Sequence, residues 1–382
     1  MEFVALLAPV LTQVAPPAAI PPPPPPPPMP AGALPESQRR RFISFVSGPV
    51  TCDGAAAAPI MLEQPMPSIG YAFWPADTHL PSIGLTFAID ADGRPMDIRA
   101  NGDDGAKSSS VDTSDVVPAF ATWRFIRDAP HRRCAVTFTV QDQPLTAAPR
   151  DELTRYYAFL PGQAAYRREV FDQLRPVGAT CYDPYFPPPL VQVFPDYRKV
   201  AQRPGNTSFA MMAFGIDRHG RPVDVRVATS DGNHDLDAKA IAAMRRWRFI
   251  DGGAHGGCLY PYANRSTVPL EAPPPPDVAA YRPADSDCEG HDDWASYPVL
   301  TYPEPFRRRS IEGWAVVRYD VAPWGELGNI EVVAAEPAAA FGTQAIEVMR
   351  TARKPATKHG LYGCVDLVKF VMRRPVRPGP RR

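Results

Sequence analysis

One pattern occurs three times along this chain, and a chain that repeats is constrained to fold as repeated units. The first copy runs Leu85-Thr86-Phe87-Ala88-Ile89-Asp90, turns at Asp92-Gly93-Arg94-Pro95 and returns as Met96-Asp97-Ile98-Arg99. The second has Met212-Ala213-Phe214-Gly215-Ile216-Asp217, then His219-Gly220-Arg221-Pro222, then Val223-Asp224-Val225-Arg226-Val227. The third has Ala315-Val316-Val317-Arg318-Tyr319-Asp320, a longer turn through Pro323-Trp324-Gly325, and Asn329-Ile330-Glu331-Val332. Alternate residues are apolar and a glycine supplies the positive φ of a tight turn, so each stretch reads as a β-hairpin.

A helical pattern follows each hairpin. In the second copy Asp235 is the expected cap, and Ala240, Ile241, Met244 and Trp247 share one face. Val116, Val117, Phe120 and Trp123 repeat this in the first copy, where Pro118 fits if the helix starts near Ser114 and the ring lies in the first turn. The third keeps Ala345, Ile346 and Met349 but has Ala352 where tryptophan stood. Trp123-Arg124-Phe125 and Trp247-Arg248-Phe249 end the helices, and a last strand is expected at 136–140, 259–262 and 365–370. The unit is hairpin, helix and C-terminal strand, which makes the fold class α+β with three tandem small modules. Tryptophans at helical spacing opposite two strands read as core rather than as a ligand platform.

The cysteines follow the repeats: Cys52 and Cys134, Cys181 and Cys258, Cys288 and Cys364, at near-equal separations. A repeat that folds as a unit selects the pairing of each copy within itself, and three such disulfides imply an oxidising compartment. His131, His255 and His359 precede the second cysteine of each copy, but the paired C-x-x-C spacing of structural zinc sites is missing, so no metal is expected. Asp231, Asn233 and Asp235 begin like a calcium loop, yet Leu236 and Ala242 stand where glycine and glutamate are needed. The common hydrolase, NTPase and metalloprotease motifs do not occur, and no catalytic residue or cofactor is assigned. The basic runs 39–41 and 307–309 and the arginine-rich end at 373–382 read as solvated faces.

The chain has 49 prolines in 382 residues, so much of the remainder reads as linker. Equal numbers of basic and acidic residues, 41 each, leave no global field for nucleic acid. Residues 3–14, followed by Ala15, Ala18 and Ala19, read as an export signal, although Glu2 stands where a basic residue is usual; a frayed terminus is the alternative. This stretch is interrupted by Pro9, Thr12 and Gln13, and a polytopic membrane protein is excluded. The eight prolines at 21–28 form a polyproline II tether. Leu153, Tyr156, Tyr157 and Leu160, then Tyr166, Val170, Phe171 and Leu174, predict two helices separated by Pro161-Gly162.

The third copy carries a further likeness. Tyr302-Pro303, Ile311-Glu312-Gly313, Val317-Arg318-Tyr319-Asp320-Val321, Pro323-Trp324-Gly325, Asn329-Ile330, Glu336-Pro337, Phe341 and Val348-Met349-Arg350 resemble, in this order, the C-terminal domain family of the energy transducer TonB. The Trp-Arg-aromatic close that this family shows is absent here and present at Trp123 and Trp247. The resulting organisation is a signal-like leader and polyproline segment (1–35), module 1 (36–145), a helical linker with module 2 (146–272), and module 3 with a basic tail (273–382). The resemblance implies a non-enzymatic periplasmic protein, without cofactor, that binds an outer-membrane TonB-dependent receptor and supports transmembrane transport. The alternative is an envelope scaffold that reuses the module without transducing; membrane association stays open. By the same resemblance the partner's short peptide lies along Val365, Asp366, Leu367, Val368, Lys369 and Phe370, near Tyr302 and Pro303. Alternation along that strand puts Val368 and Phe370 in the core and leaves its backbone edge free.

Overall fold

Every hairpin forms where apolar residues alternate around a turn glycine. The computed structural model describes residues 40–71, 82–101, 111–127, 130–160, 167–182, 185–250, 252–291 and 293–372. The leader, the polyproline run, Tyr166 and the basic end lie outside the described residues. The first region holds β1 (Arg40–Ser47), β2 (Thr51–Cys52), β3 (Ala55–Ala56), β4 (Ser68–Tyr71), β5 (Ser82–Ile89), β6 (Pro95–Asn101), α1 (Val116–Ala121) and β7 (His131–Pro144). Its strands make one seven-stranded sheet. Helices α2 (Arg150–Phe159) and α3 (Arg167–Leu174) lead into β8 (Pro189–Val191), β9 (Thr207–Ile216), β10 (Pro222–Ser230), α4 (His234–Met244), β11 (Arg248–Phe249) and β12 (His255–Arg265). Here the sheet order is β10-β9-β12, with β8 and β11 as a separate ladder. The third region has α5 (Glu304–Arg308), β13 (Gly313–Val321), β14 (Leu327–Glu336), α6 (Ala339–Met349) and β15 (Leu361–Phe370), in sheet order β14-β13-β15. The architecture is α+β.

Backbone geometry recurs at equivalent positions in all three regions. Gly93, Gly220 and Gly325 have positive φ, and their carbonyls accept the N–H of Phe125, Phe249 and Lys354 at 2.9, 2.8 and 3.0 Å. A side chain on any of them would run into the carbonyl of that same residue, 2.1–2.3 Å from the added Cβ. Four residues after each glycine, Asp97, Asp224 and Asn329 adopt φ of 45, 53 and 50°, the left-handed region that Asp and Asn tolerate best. The same three cysteine pairs are joined: Cys52–Cys134, Cys181–Cys258 and Cys288–Cys364.

Several expectations need correction. The last strands are longer than predicted, and β1 to β4 add strands to the first region that the hairpin pattern does not contain. The cap of α4 is Asn233, whose side chain accepts the Leu236 N–H, while Asp235 sits in the first turn, paired with Lys239 and accepting the Ala201 N–H at 2.7 Å. Trp123 and Trp247 are fully buried, with their indole N–H groups donated to the carbonyls of Glu63 and Val193. In the third region Lys354 takes the place of Phe125 and Phe249; its ammonium lies 4.0 Å from the Trp294 ring centroid and donates to the His291 carbonyl, which compensates its burial.

One apolar cluster runs from Ile43, Phe120 and Phe138 to Phe306, Phe341 and Phe370, so the first and third regions share a core. A second cluster surrounds Trp247, and a third packs Phe42 of β1 with Leu153, Tyr157 and Phe171 of α2 and α3 against Met211 and Leu259. Residues Glu36–Arg382 form one compact unit. At its centre lies Arg309, assigned to a solvated basic run from sequence and in fact 2% exposed. Its guanidinium donates twice to Asp115, once to Glu63 at 3.1 Å and is bound to both carboxylates at once. Glu63 also accepts the hydroxyl of Thr207 at 2.8 Å and the amide of Asn206 at 3.2 Å, so all three regions meet at this buried charge pair.

Candidate functional site: the outer edges of the last strands

A sheet edge presents unpaired N–H and C=O groups, and proteins either fill it, blunt it or use it. In all three regions the start of the last strand is pinned from outside by the segment around the first cysteine. Asp53 N–H bonds the Arg133 carbonyl at 2.9 Å, Thr180 N–H the Gly256 carbonyl at 3.0 Å, and Asp287 N–H the Tyr362 carbonyl at 3.4 Å.

Beyond the cysteine the three edges diverge. On β7, β2 and then β1 continue the ladder antiparallel, with Arg41 opposite Pro144 and Ser47 opposite Phe138, while β5 occupies the other side. On β12 no strand follows, but Pro261 removes a donor within it and the Tyr182 hydroxyl caps the Leu259 carbonyl at 2.6 Å. On β15, paired with β13 alone, no proline interrupts the strand, and among the described residues no outside group bonds the backbone of residues 364–369. Its end is held by Tyr302, whose hydroxyl lies 2.5 Å from the Ile311 carbonyl and 3.3 Å from that of Phe370. The Tyr302 ring stands edge-on to Phe341 and Phe370, and burial pushes its phenol well above the ordinary range. Pro303 is buried beside it. These two residues therefore anchor the strand from within the fold.

The faces of β15 are both occupied. Val368 and Phe370 enter the main core, as alternation requires. Val365, read from sequence as lying away from the core, is also buried, with Leu367 half-buried behind it, because Trp314 and Val316 form a second cluster on that face. The chain's own proline-rich stretch covers it: the Trp314 indole N–H donates to the Pro273 carbonyl at 2.8 Å, and Val278 and Tyr281 pack on top. Asp366 accepts the Tyr319 hydroxyl at 2.5 Å, and Lys369 is exposed. Besides Lys369 and the exposed Tyr362 at its start, β15 offers little side chain to solvent.

The histidines converge on nothing comparable. His131 faces Asp53 at 3.3 Å and His255 the Thr180 carbonyl at 3.3 Å, and among the described residues no cluster of three or more metal-ligating side chains occurs. Sequence reasoning missed β1 as an edge-filling strand, although Phe42-Ile43-Ser44-Phe45-Val46 is rich in aromatic and β-branched residues.

Each region is a small α+β unit, a helix beside a hairpin with a disulfide-stapled last strand. The family described as "Gram-negative bacterial TonB protein C-terminal" matches residues 194–257 and 298–364. The chain is also similar to protein TonB of Klebsiella pneumoniae, at 29% identity over 110 residues, 29% of this chain and 44% of the relative. It thus spans less than half the length of that relative. Both matched segments fall in the second and third regions, where the β9–β10 and β13–β14 hairpins lie. The match in the third region stops at Cys364, immediately before the open stretch of β15. Among the described residues no helix is long and apolar enough to cross a membrane.

Proposed function

We propose that the third module takes up an extended segment of another envelope protein along the outer edge of β15, in the periplasm. The segment pairs by its main chain beside Val365, Asp366, Leu367, Val368 and Lys369, and Tyr302 with Pro303 keeps the Phe370 end of the strand in place. The partner of choice is an outer-membrane receptor of the TonB-dependent kind, with transmembrane transport as the outcome. One observation carries this reading: the edge that β1 fills on β7 has no backbone partner on β15 among the described residues. Main-chain pairing supplies affinity in such complexes, and pockets for alternate side chains supply selectivity. The second reading, an envelope scaffold without transduction, is favoured by the covered face of β15, which leaves little side-chain surface for selectivity.

Full-length protein immobilised and exposed to outer-membrane extract tests this. Recovery of a β-barrel receptor supports transport, and recovery of soluble envelope proteins alone supports the scaffold. N–H groups of successive residues in a strand face opposite sides, so proline at an outward-facing position of β15 removes an edge donor and spares the β13 ladder. That variant is expected to fold by circular dichroism and to lose capture. Unchanged capture by a folded variant removes this strand from the interface.

A further inference from the structure

The first region meets the second around a cavity of ≈ 420 Å³, within the usual size range of small-molecule sites. Its walls come from β1, the stretch before β4, the start of α2 and the β9–β10 hairpin. Alternation along β1 places Ser44 on the face of Phe42, which packs against α2, and not on that of Ile43 and Phe45. Ser44 lines this cavity, is 4% exposed, and its hydroxyl has no hydrogen-bond partner among the described residues. Two further oxygens share that condition, Glu152 Oε2 and Asp231 Oδ2, and both residues line the same cavity. Buried polar atoms without partners are few in folded proteins, and each costs free energy that a ligand can return.

The charge balance fixes the sign of such a ligand. Arg155 lines the cavity too, but it donates to the carbonyls of Gln64 and Pro65 and lies 3.6 Å from Glu63. Glu63 is in turn held by Arg309. With those groups engaged, Asp151, Glu152 and Asp231 face a single further cation, the exposed Arg203. Burial raises the Asp231 carboxyl above its ordinary range, outweighing the lowering effect of the Ser208 hydroxyl and of the Phe209 N–H, which its other oxygen accepts at 3.2 Å. Val46, Leu62 and Phe209 supply apolar wall. A side chain that makes no hydrogen bond loses none by rotating toward an incoming donor, so Ser44 and Glu152 can turn to it at little cost.

We infer that this cavity binds an alkylammonium group, its N–H donors shared among Ser44 Oγ, Glu152 Oε2 and Asp231 Oδ2 and its methylene stem laid on the apolar wall. A free diamine and the lysine side chain of a peptide offer the same chemistry. An ammonium has three donors to match three acceptors, and a hydrogen bond to a charged group is the stronger kind.

Calorimetric titration of the full chain with 1,5-diaminopentane, Nα-acetyl-lysine methylamide, pentane-1,5-diol and magnesium chloride tests this. Saturable binding of an amine and none of the diol is expected. Glu152→Gln and Asp231→Asn should each weaken the amine roughly tenfold or more while the thermal melt stays cooperative. Preference for the lysine derivative assigns the site to a peptide, and preference for the diamine to a metabolite. Absence of binding by both amines, equal binding of the diol, displacement by magnesium at matched concentration, or full affinity in the Glu152→Gln, Asp231→Asn double variant overturns the inference.

Discussion

The last strand of the first region and the last strand of the third begin alike and end differently. Each leaves a disulfide, runs antiparallel to the first strand of its hairpin and buries alternate residues against a helix. Yet the outer edge of β7 is filled by β2 and β1, while that of β15 past Cys364 has no strand among the described residues. The difference lies in what precedes the cysteine. Before Cys52 the chain supplies Arg40–Ser47, extended and apolar on both faces; before Cys288 it supplies a proline-rich stretch that lies over the face of the sheet and bonds its edge only at Tyr362 and Gly363, ahead of Cys364. One architecture can thus fill its own outer edge or leave it unpaired, and the choice is made by the flanking sequence and not by the repeated unit.

The harshest way to break the comparison is to release the junction that holds both strands in one unit. Arg309→Met removes the cation that bridges Asp115 and Glu63, leaving Arg155 near Glu63 alone, and is expected to cost about 3–5 kcal/mol, read as a lower denaturant midpoint. A loss below about 1 kcal/mol shows that the pair is solvated and that the regions are joined otherwise. Opening the closed edge is next in size. Ile43 is fully buried, and Ile43→Ala should cost about 2–4 kcal/mol and speed amide exchange in β7 while sparing β15. Equal acceleration in both strands shows that the effect travels through the core they share and not through the edge strand.

The hairpins, the helices and the disulfide pairing were legible in the sequence because each rests on short-range signals: period-two alternation, a turn glycine and one cysteine pair per repeat. The identity of Arg309 as a buried residue was not, since its partners Asp115 and Glu63 lie 194 and 246 positions away and a run of three arginines looks solvated. The contrast between Arg40-Arg41 and Arg167-Arg168 shows a subtler loss. The two stretches echo each other up to Cys52 and Cys181, yet one becomes β1 and the other α3. Apolar residues fill five successive places but one after Arg41, whereas Val170, Phe171 and Leu174 keep helical spacing. The repeat hid a difference that local pattern already held. The cavity walls come from separate segments, and only the packed chain brings them together.

Smaller effects sharpen the picture of the repeats. Gly220→Ala puts a Cβ 2.1 Å from the Phe249 carbonyl at φ of +67°, and a cost of about 1–3 kcal/mol is expected by thermal melt. A neutral result shows that the turn yields and that the shared glycine is not a constraint. The smallest effect concerns Glu336, which accepts the Asp97 N–H at 2.8 Å where β14 meets the first region. Burial, with the charges of Asp97 and Asp90, pushes its carboxyl up to about 7. The folded state then keeps a proton that the unfolded chain has released, so this contribution is full below the ordinary carboxyl range, declines as pH rises toward 7, and is flat above. Glu336→Gln should flatten that slope in a pH series of denaturant melts; an unchanged slope assigns it to another group.

Among the described residues the outer edge of β15 past Cys364 is free, whereas the corresponding edge of β7 is filled by β2 and β1. Residue-resolved hydrogen exchange on the full chain measures this directly. Slow exchange is expected at the β7 amides that face β1, between Phe138 and Gln143, and an alternating pattern on β15 from Val365 to Lys369, fast at outward amides and slow at those facing β13. Uniform protection of β15 at the level of β7 would contradict it.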